Sequence, residues 1–208
     1  MASGAEPRLG VPPSLTRRTF AVGLASVGIL GCLGAVVRAT GAEGSLLRPP
    51  GTVSEGQLLG ACIRCGRCVE ACACGCTQYG SLRQGLLNAR TPYLDFTKGY
   101  CDFCGSCISS CPTGALGELD SSPGAIGFAL VDQQRCVSCE RCVGVCSPGA
   151  VSWDARRAVP VVDLALCNGC GACEWVCPSS SLGFFDGAAV RAVHVVREGG
   201  FDERTDKR

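Results

Sequence analysis

The chain lacks most of the features that mark nucleic-acid-binding proteins and common enzymes. Of its 208 residues one is histidine and one is methionine, and the formal net charge is +1. That charge argues against the basic surface that nucleic acids or acidic lipids attract. The sequence also lacks a glycine-rich nucleotide fingerprint and a serine–histidine arrangement for nucleophilic catalysis. Composition and motifs therefore offer no candidate catalytic residue.

Cysteine is present in large excess, with 19 residues beside 29 glycines. Sixteen of the cysteines form four runs with the spacing C-x2-C-x2-C-x3-C, which is the ligand pattern of bacterial [4Fe-4S] ferredoxins. This pattern predicts four [4Fe-4S] clusters whose iron positions are all taken by thiolates. In chain order the first to fourth motifs are Cys62, Cys65, Cys68, Cys72; Cys101, Cys104, Cys107, Cys111; Cys136, Cys139, Cys142, Cys146; and Cys167, Cys170, Cys173, Cys177.

The motifs are expected to work in pairs, because in two-cluster ferredoxins the fourth cysteine of each run ligates the cluster of the other run. Adjacent pairing predicts that Cys111 completes the first site and Cys72 the second, whereas Cys177 completes the third site and Cys146 the fourth. A nested pairing, of the outer motifs together and the inner motifs together, uses the same sixteen residues. Both pairings stay open.

Three cysteines, Cys32, Cys74 and Cys76, lie outside the motifs. Alanine replaces the usual proline after Cys72, so the fourth ligand of the first motif is Cys72, Cys74 or Cys76, and spacing favours Cys72. We predict that Cys74 and Cys76 are structural thiols. A zinc site or a disulfide scaffold is the alternative to clusters. Cysteines that recur at every third position converge on one point, which favours clusters over both.

Residues 1–43 are predicted to be a targeting segment. Arg17 and Arg18 lie in Thr-Arg-Arg-Thr-Phe at residues 16–20, which resembles the twin-arginine export signal, and an uncharged run covers residues 19–37. This run is long enough to cross a bilayer, so cleavage and membrane anchoring both stay open. The twin-arginine route moves folded proteins, which suits a fold that needs bound metal before export. We therefore expect a periplasmic or extracytoplasmic protein.

The rest of the chain is predicted to be α+β, with tandem bacterial two-[4Fe-4S] ferredoxin-like modules built from short hairpins and short helices. We place a proline-stiffened linker at 44–53, the first module at 54–120, the second module at 121–197 and a disordered tail at 198–208. Ser54 begins a capping-box pattern and predicts a helix start. His194 is predicted to serve packing or to lie at the surface. Strands are predicted at 93–96, 114–116, 128–131, 149–153, 159–162 and 181–185, with a return strand over 190–196 and turns at 154–157 and 186–187.

Residues 48–182 resemble the accessory polyferredoxins that are encoded with periplasmic nitrate reductases and related molybdenum reductases. The most specific segments are Arg-Pro-Pro-Gly at 48–51, Cys-Ile-Arg-Cys at 62–65 and Leu-Cys-Asn-Gly-Cys-Gly-Ala-Cys at 166–173. The twin-arginine leader is like that of the exported G-type proteins. The cysteine runs look more like those of the cytoplasmic F-type.

The resemblance implies an electron carrier that has no substrate chemistry of its own and is not an enzyme. The implied partners are redox proteins: the catalytic subunit of a respiratory, molybdenum-dependent reductase and a quinol- or cytochrome-linked donor. Two other roles stay open. The first is a maturation or interaction protein for a molybdenum reductase. The second is an iron–sulfur subunit of a larger oxidoreductase complex.

Overall fold

The computed structural model describes residues 26–28, 31–32, 46–178 and 191–197. The chain divides into two compact units, Met1–Gly41 and Ala42–Arg208. In the first unit residues 26–28 and 31–32 are helical and exposed, and the rest of the predicted leader lies outside the described residues. Within the described ranges no helix is both long enough and apolar enough to cross a membrane. The predicted strand 181–185, the turn 186–187 and the tail 198–208 also lie outside them.

The second unit is built from short helices and two-stranded antiparallel sheets, as the α+β prediction requires. The helices are α1 (Glu55–Ala61), α2 (Arg67–Glu70), α3 (Ser106–Ser109), α4 (Arg141–Gly144) and α5 (Ala172–Val176), and the strands are β1 (Thr77–Tyr79), β2 (Pro92–Leu94), β3 (Phe128–Val131), β4 (Val151–Asp154), β5 (Val159–Val162) and β6 (Val193–Val196). The sheets are β1–β2, β3–β6 and β4–β5. A 3-10 turn, Leu82–Gln84, lies in the loop between β1 and β2.

Helix α1 begins where the capping pattern predicts. The Ser54 hydroxyl accepts a hydrogen bond from the Gln57 N–H at 3.2 Å and so satisfies one of the free amides of the first turn. Leu58 is the buried residue of the helix. At the other end the Cys62 N–H donates to the Leu58 carbonyl at 2.9 Å. The helix therefore delivers the first cysteine of the first motif directly from its C-terminus.

The second module has two described sheets. Strands β4 and β5 form the predicted hairpin, turning through residues 155–158. The return strand predicted over 190–196 forms as β6 and pairs with β3, from Phe128 opposite Val196 to Val131 opposite Val193, while its suggested hairpin partner at 181–185 lies outside the described residues. Burial favours the pairing with β3, since Val193 and Val195 alternate inward along β6 and pack with Ala129. His194, between them, is half-buried with its Nδ1 3.8 Å from a Glu174 oxygen.

The predicted strand at 114–116 does not form, and the first module closes differently. Ala115 and Leu116 are buried against Leu58 without strand pairing. The Gly117 N–H donates to the Gly51 carbonyl at 2.7 Å. Gly51 has φ +85°, and a Cβ there would lie 2.9 Å from the Glu118 carbonyl oxygen. Glycine permits this close approach of two backbones.

The predicted linker at 44–53 is wrong for its central residues, because Arg48 and Pro49 are fully buried. The Arg48 guanidinium donates to both carboxylate oxygens of Glu55, to Asn88 Oδ1 at 2.7 Å, to Thr91 Oγ1 at 2.9 Å and to the Pro92 carbonyl at 2.7 Å. A buried charge is tolerated only when it is paired and hydrogen-bonded, and Arg48 satisfies both conditions. The segment therefore packs into the first module and covers one side of its core.

The two predicted modules share one hydrophobic core. Leu94 and Phe96 of the first module lie in the same buried cluster as Ile126 and Ala129 of the second. A smaller cluster around Leu58 belongs to the first module alone. The two modules are therefore held at a defined relative position by buried apolar surface.

Candidate metal centres

All four motifs repeat the same backbone conformation. Two positions in each run have positive φ: the residue before the second cysteine and the residue after it. Left-handed residues between successive cysteines coil the chain around one point and turn backbone N–H groups toward it, which suits an anionic group. The φ values are 58° and 82° for Arg64 and Gly66, 57° and 74° for Phe103 and Gly105, 53° and 57° for Ser138 and Glu140, and 75° and 75° for Gly169 and Gly171.

The fourth cysteine of every motif also occupies one repeated position. It follows a short helix that carries the third cysteine, and its N–H donates to the carbonyl three residues earlier. These distances are 3.2 Å for Cys72 to Val69, 3.0 Å for Cys111 to Ile108, 3.3 Å for Cys146 to Val143 and 3.2 Å for Cys177 to Glu174. Cys72 therefore takes the same place as the other three fourth cysteines, and Cys74 and Cys76 do not.

The thiols are grouped as the adjacent pairing requires. One cavity is lined by Cys62, Cys65 and Cys68 together with Cys111. A second is lined by Cys136, Cys139 and Cys142 together with Cys177. A third is lined by Cys167, Cys170 and Cys173 together with Cys146. In the nested pairing Cys177 would complete the first site and Cys72 the fourth. Neither cysteine lines the corresponding cavity.

The site of the second motif has the most thiols around it. Cys72, the predicted fourth ligand, and Cys101, the first cysteine of the run, pack against the same buried cluster. Cys76 lies there too, with its Sγ 3.7 Å from the Cys72 Sγ. Cys74 is close to Asp102, and burial together with that carboxylate raises the pKa of its thiol to about 11. The structure therefore brings both extra thiols to the second site.

Burial raises the pKa of several motif thiols, whereas hydrogen bonds outweigh burial and lower the pKa of Cys72, Cys101 and Cys111. Burial and the neighbouring thiols raise the pKa of Cys68 to about 11, that of Cys107 to about 12 and that of Cys142 to about 11. Backbone N–H groups of Val69, Ile108 and Val143 oppose this rise by donating toward the three sulfurs. Metal binding must therefore displace protons, and assembly at these sites becomes less favourable as pH falls.

The donor sets fit [4Fe-4S] clusters. Each site offers four sulfur ligands, which soft iron–sulfur centres prefer. In the described part of the chain no three side chains of the metal-ligating types surround one point closely enough to hold a single ion. Instead, three cavities are each lined by four thiols, which is the donor set of a multi-iron core. All nineteen cysteines are free thiols.

The four sites do not follow each other in space as they do in sequence. The Cys101 N–H of the second motif donates to the Cys170 carbonyl of the fourth at 2.8 Å. Gly171, also in the fourth motif, lies directly against the ring of Phe96. The second and fourth sites are therefore the neighbours that join the two modules. The spatial order is first, second, fourth, third.

Charged side chains distinguish the first site from the third. The first site is lined by Arg64 and Arg90, and Arg64 also donates to the Ala89 carbonyl at 3.1 Å. The third site is lined by Glu140. Arg64 and Glu140 lie inside their motifs and could have been noticed from their positions. Arg90 is distant in sequence, and only the loop between β1 and β2 returns it to the first site.

Repeated all-cysteine sites on paired hairpins, sharing one core, define an iron–sulfur protein of the two-cluster ferredoxin class with two modules in tandem. Residues 61–115 and 135–181 each match the family model described as a 4Fe-4S dicluster domain. Two such domains imply four [4Fe-4S] clusters.

Curated relatives agree with this class. The chain is 35% identical over 205 residues to the ferredoxin-type protein NapG of Escherichia coli K12, covering 85% of each chain. It is 36% identical over 177 residues to the methylamine utilization ferredoxin-type protein MauM of Paracoccus denitrificans, covering 76% of this chain and 78% of the relative. It is 30% identical over 142 residues to the ferredoxin-type protein NapF of Escherichia coli K12, covering 65% of this chain and 82% of the relative. The chain belongs to this family of ferredoxin-type proteins with tandem 4Fe-4S dicluster domains.

Proposed function

We propose that the protein is an electron-transfer polyferredoxin that carries four [4Fe-4S] clusters and passes single electrons between redox partners. The observation that carries this proposal is one all-cysteine site geometry, repeated four times in a single compact unit. A [4Fe-4S] cluster bound at such a site supplies reversible one-electron transfer at a potential set by its surroundings. With four thiolates at every site, no iron position is left for a substrate.

The chain contributes placement and shielding. Its sixteen motif cysteines hold the clusters, and the left-handed residues between them direct N–H groups at the sulfurs. Buried Phe96 and Ile126 exclude water from the region between the modules. The hydrogen bond from Cys101 to Cys170 keeps the second and fourth sites adjacent, so that no large gap separates the modules.

We further propose that the acceptor is a respiratory, molybdenum-dependent reductase and that the donor is linked to quinol or a cytochrome. Support comes from the similarity to NapG and NapF, together with the motif resemblance at 48–51 and 166–173 to accessory proteins of such reductases. The similarity to MauM favours a second candidate, an electron carrier in amine utilisation. The two candidates share the same chemistry and differ in partner.

We also propose export by the twin-arginine route, with the sites facing the periplasm. Arg17 and Arg18 support this, as does the need of a metal-dependent fold to bind its cofactor before crossing the membrane. Replacing both arginines by lysine should leave the protein in the cytoplasm, measured by fractionation of the cells. Unchanged export of the variant would contradict the proposal. A cytoplasmic wild-type protein would favour the maturation role, because cofactor assembly precedes export.

The first test of the function is iron and acid-labile sulfide per chain, on full-length protein purified without oxygen. About sixteen irons are expected, from four sites of four irons each. Electron paramagnetic resonance of the reduced protein should show signals of interacting clusters. Little iron, or zinc in its place, would overturn the electron-transfer function. Co-purification with a stoichiometric catalytic subunit would assign the chain to a larger complex instead.

A further inference from the structure

Cys76 is the cysteine whose surroundings differ most from its predicted role as an isolated structural thiol. It is 1% exposed, and its Sγ lies 3.7 Å from the Sγ of Cys72, the fourth cysteine of the first motif. Cys76 also belongs to the buried cluster against which Cys101, in the second motif, packs. Cys76 therefore lies between two residues that we assign to one cluster site.

An internal comparison shows what is unusual about this position. In the three motifs where the following residues are described, the fourth cysteine is followed three positions later by a glycine with positive φ and four positions later by a fully buried small residue. The buried residue is alanine in two of them and cysteine in one. The equivalent sets are Cys111, Gly114, Ala115; Cys146, Gly149, Ala150; and Cys72, Gly75, Cys76.

The backbone around Cys76 holds it in this place. The Asp95 N–H donates to its carbonyl at 2.8 Å, and β1 begins at the next residue. On the other side the Gly75 N–H donates to the Cys72 carbonyl at 3.0 Å, which closes the turn that joins the two cysteines. The same bond links Gly149 to Cys146 at 3.0 Å. Cys76 thus presents a thiol where an otherwise equivalent turn presents a methyl group.

We propose that Cys76 is a reserve ligand that can replace Cys72 at the site of Cys101, Cys104 and Cys107. In the exchange the bond from iron to the Cys72 sulfur breaks, a bond to the Cys76 sulfur forms, and the Cys76 proton passes to Cys72. No electron is consumed or released. The proposal rests on the ligand assignment above, and it makes the second site more tolerant of ligand loss than the other three.

Single and double alanine variants of the full-length protein test this, with iron and acid-labile sulfide per chain as the readout. Cys72→Ala should keep the wild-type iron content, because Cys76 takes over. Cys72→Ala combined with Cys76→Ala should lose about four irons, those of one cluster. Cys72→Ala combined with Cys74→Ala is the matched control and should keep its iron.

Cys111→Ala is the matched control at the first site, where Ala115 has no thiol to offer, and it should lose about four irons. Adding Ala115→Cys to that variant should restore them. Electron paramagnetic resonance of the reduced proteins identifies which cluster is lost. This pair keeps the test decisive even if the double variant at Cys72 and Cys76 fails to fold.

Loss of four irons from Cys72→Ala alone would overturn the reserve-ligand proposal and leave the four-cluster function intact. Loss of iron from Cys76→Ala alone, with Cys72→Ala unaffected, would also overturn it and make Cys76 the resident ligand. Wild-type protein without iron would instead contradict the proposed function. The three outcomes are distinguished by the same measurement.

Discussion

The two modules hold their cysteines in the same way and support them differently. In the second module β4 and β5 join through a tight turn at 155–158, whereas residues 80–91 separate β1 from β2 in the first. That longer loop carries exposed Leu82, Leu86 and Leu87. The β3–β6 sheet covers the core of the second module, and the segment at 47–51 covers the core of the first.

The comparison shows which parts of the fold the cofactor constrains. Thiols at a cluster must meet at one point, so the left-handed residues and the fourth-cysteine turn recur in all four motifs. The segment that covers each core has only to bury apolar surface and satisfy its own backbone groups. In the second module this segment is held by strand pairing, and in the first it is held by the hydrogen bonds of buried Arg48.

The largest expected effect comes from removing that arginine. Arg48→Ala should cost about 2–4 kcal/mol of stability, because Glu55, Asn88 and Thr91 lose the buried guanidinium. Glu55 is partly exposed and keeps Arg197 at 3.8 Å, which moderates the loss. The measurement is the denaturation midpoint of the cluster-loaded protein, followed by cluster absorbance. Arg157→Ala is the control, since its pair with Asp154 is exposed at 3.9 Å and is worth at most about 1 kcal/mol. Equal losses in both variants would contradict the structural role of Arg48.

The next effect tests the contact between the modules. Gly171→Ala places a Cβ 2.2 Å from the ring of buried Phe96 and should destabilise the protein by about 2–3 kcal/mol. Gly105→Ala is at the equivalent position of the second motif, where the nearest atom is Leu119 Cδ2 at 3.8 Å. It should cost about 1 kcal/mol, from the left-handed backbone alone. Similar melting temperatures for the two variants would show that the modules are not packed through Phe96.

A smaller effect should distinguish the reduction potential of the first cluster from those of the other three. Arg90 lines that site, and a cation nearby favours the more negatively charged, reduced form. Arg90→Gln should therefore lower the reduction potential of one cluster by on the order of 50 mV. A redox titration followed by electron paramagnetic resonance measures this. Arg156→Gln, on the exposed turn of the second module, should leave all four potentials unchanged.

The smallest effect concerns the one motif that lacks glycine after its second cysteine. Glu140 has φ 57°, whereas Gly66, Gly105 and Gly171 occupy the equivalent positions. Glu140→Gly should relieve the left-handed strain and stabilise the protein by up to about 1 kcal/mol. Arg141→Gly, at the first residue of α4, should destabilise it by about 0.5–1 kcal/mol. A denaturation series on the two variants decides the sign, and destabilisation by Glu140→Gly would contradict the strain.

Much of the local structure was predictable because it depends on neighbouring residues. The helix start at Ser54, the strands at 128–131 and 159–162 and the turn after Asp154 follow from capping, alternation and turn chemistry. The contacts that local patterns do not predict join distant partners. β6 pairs with β3 across the second module, and Arg48 donates hydrogen bonds to Thr91 and Pro92 far along the chain. Local patterns contain no information about either contact.

The ligand chemistry follows from local sequence, because three cysteines at every third position reach one point through a single short turn wherever that turn is placed. The arrangement of the sites depends on contacts between distant residues. The Cys101–Cys170 hydrogen bond and the packing of Gly171 on Phe96 put the fourth site next to the second. Cys76 lies beside Cys72 through a local turn. The contacts between the second and fourth sites instead join residues far apart in the chain, and they form only when the two modules bury a common core.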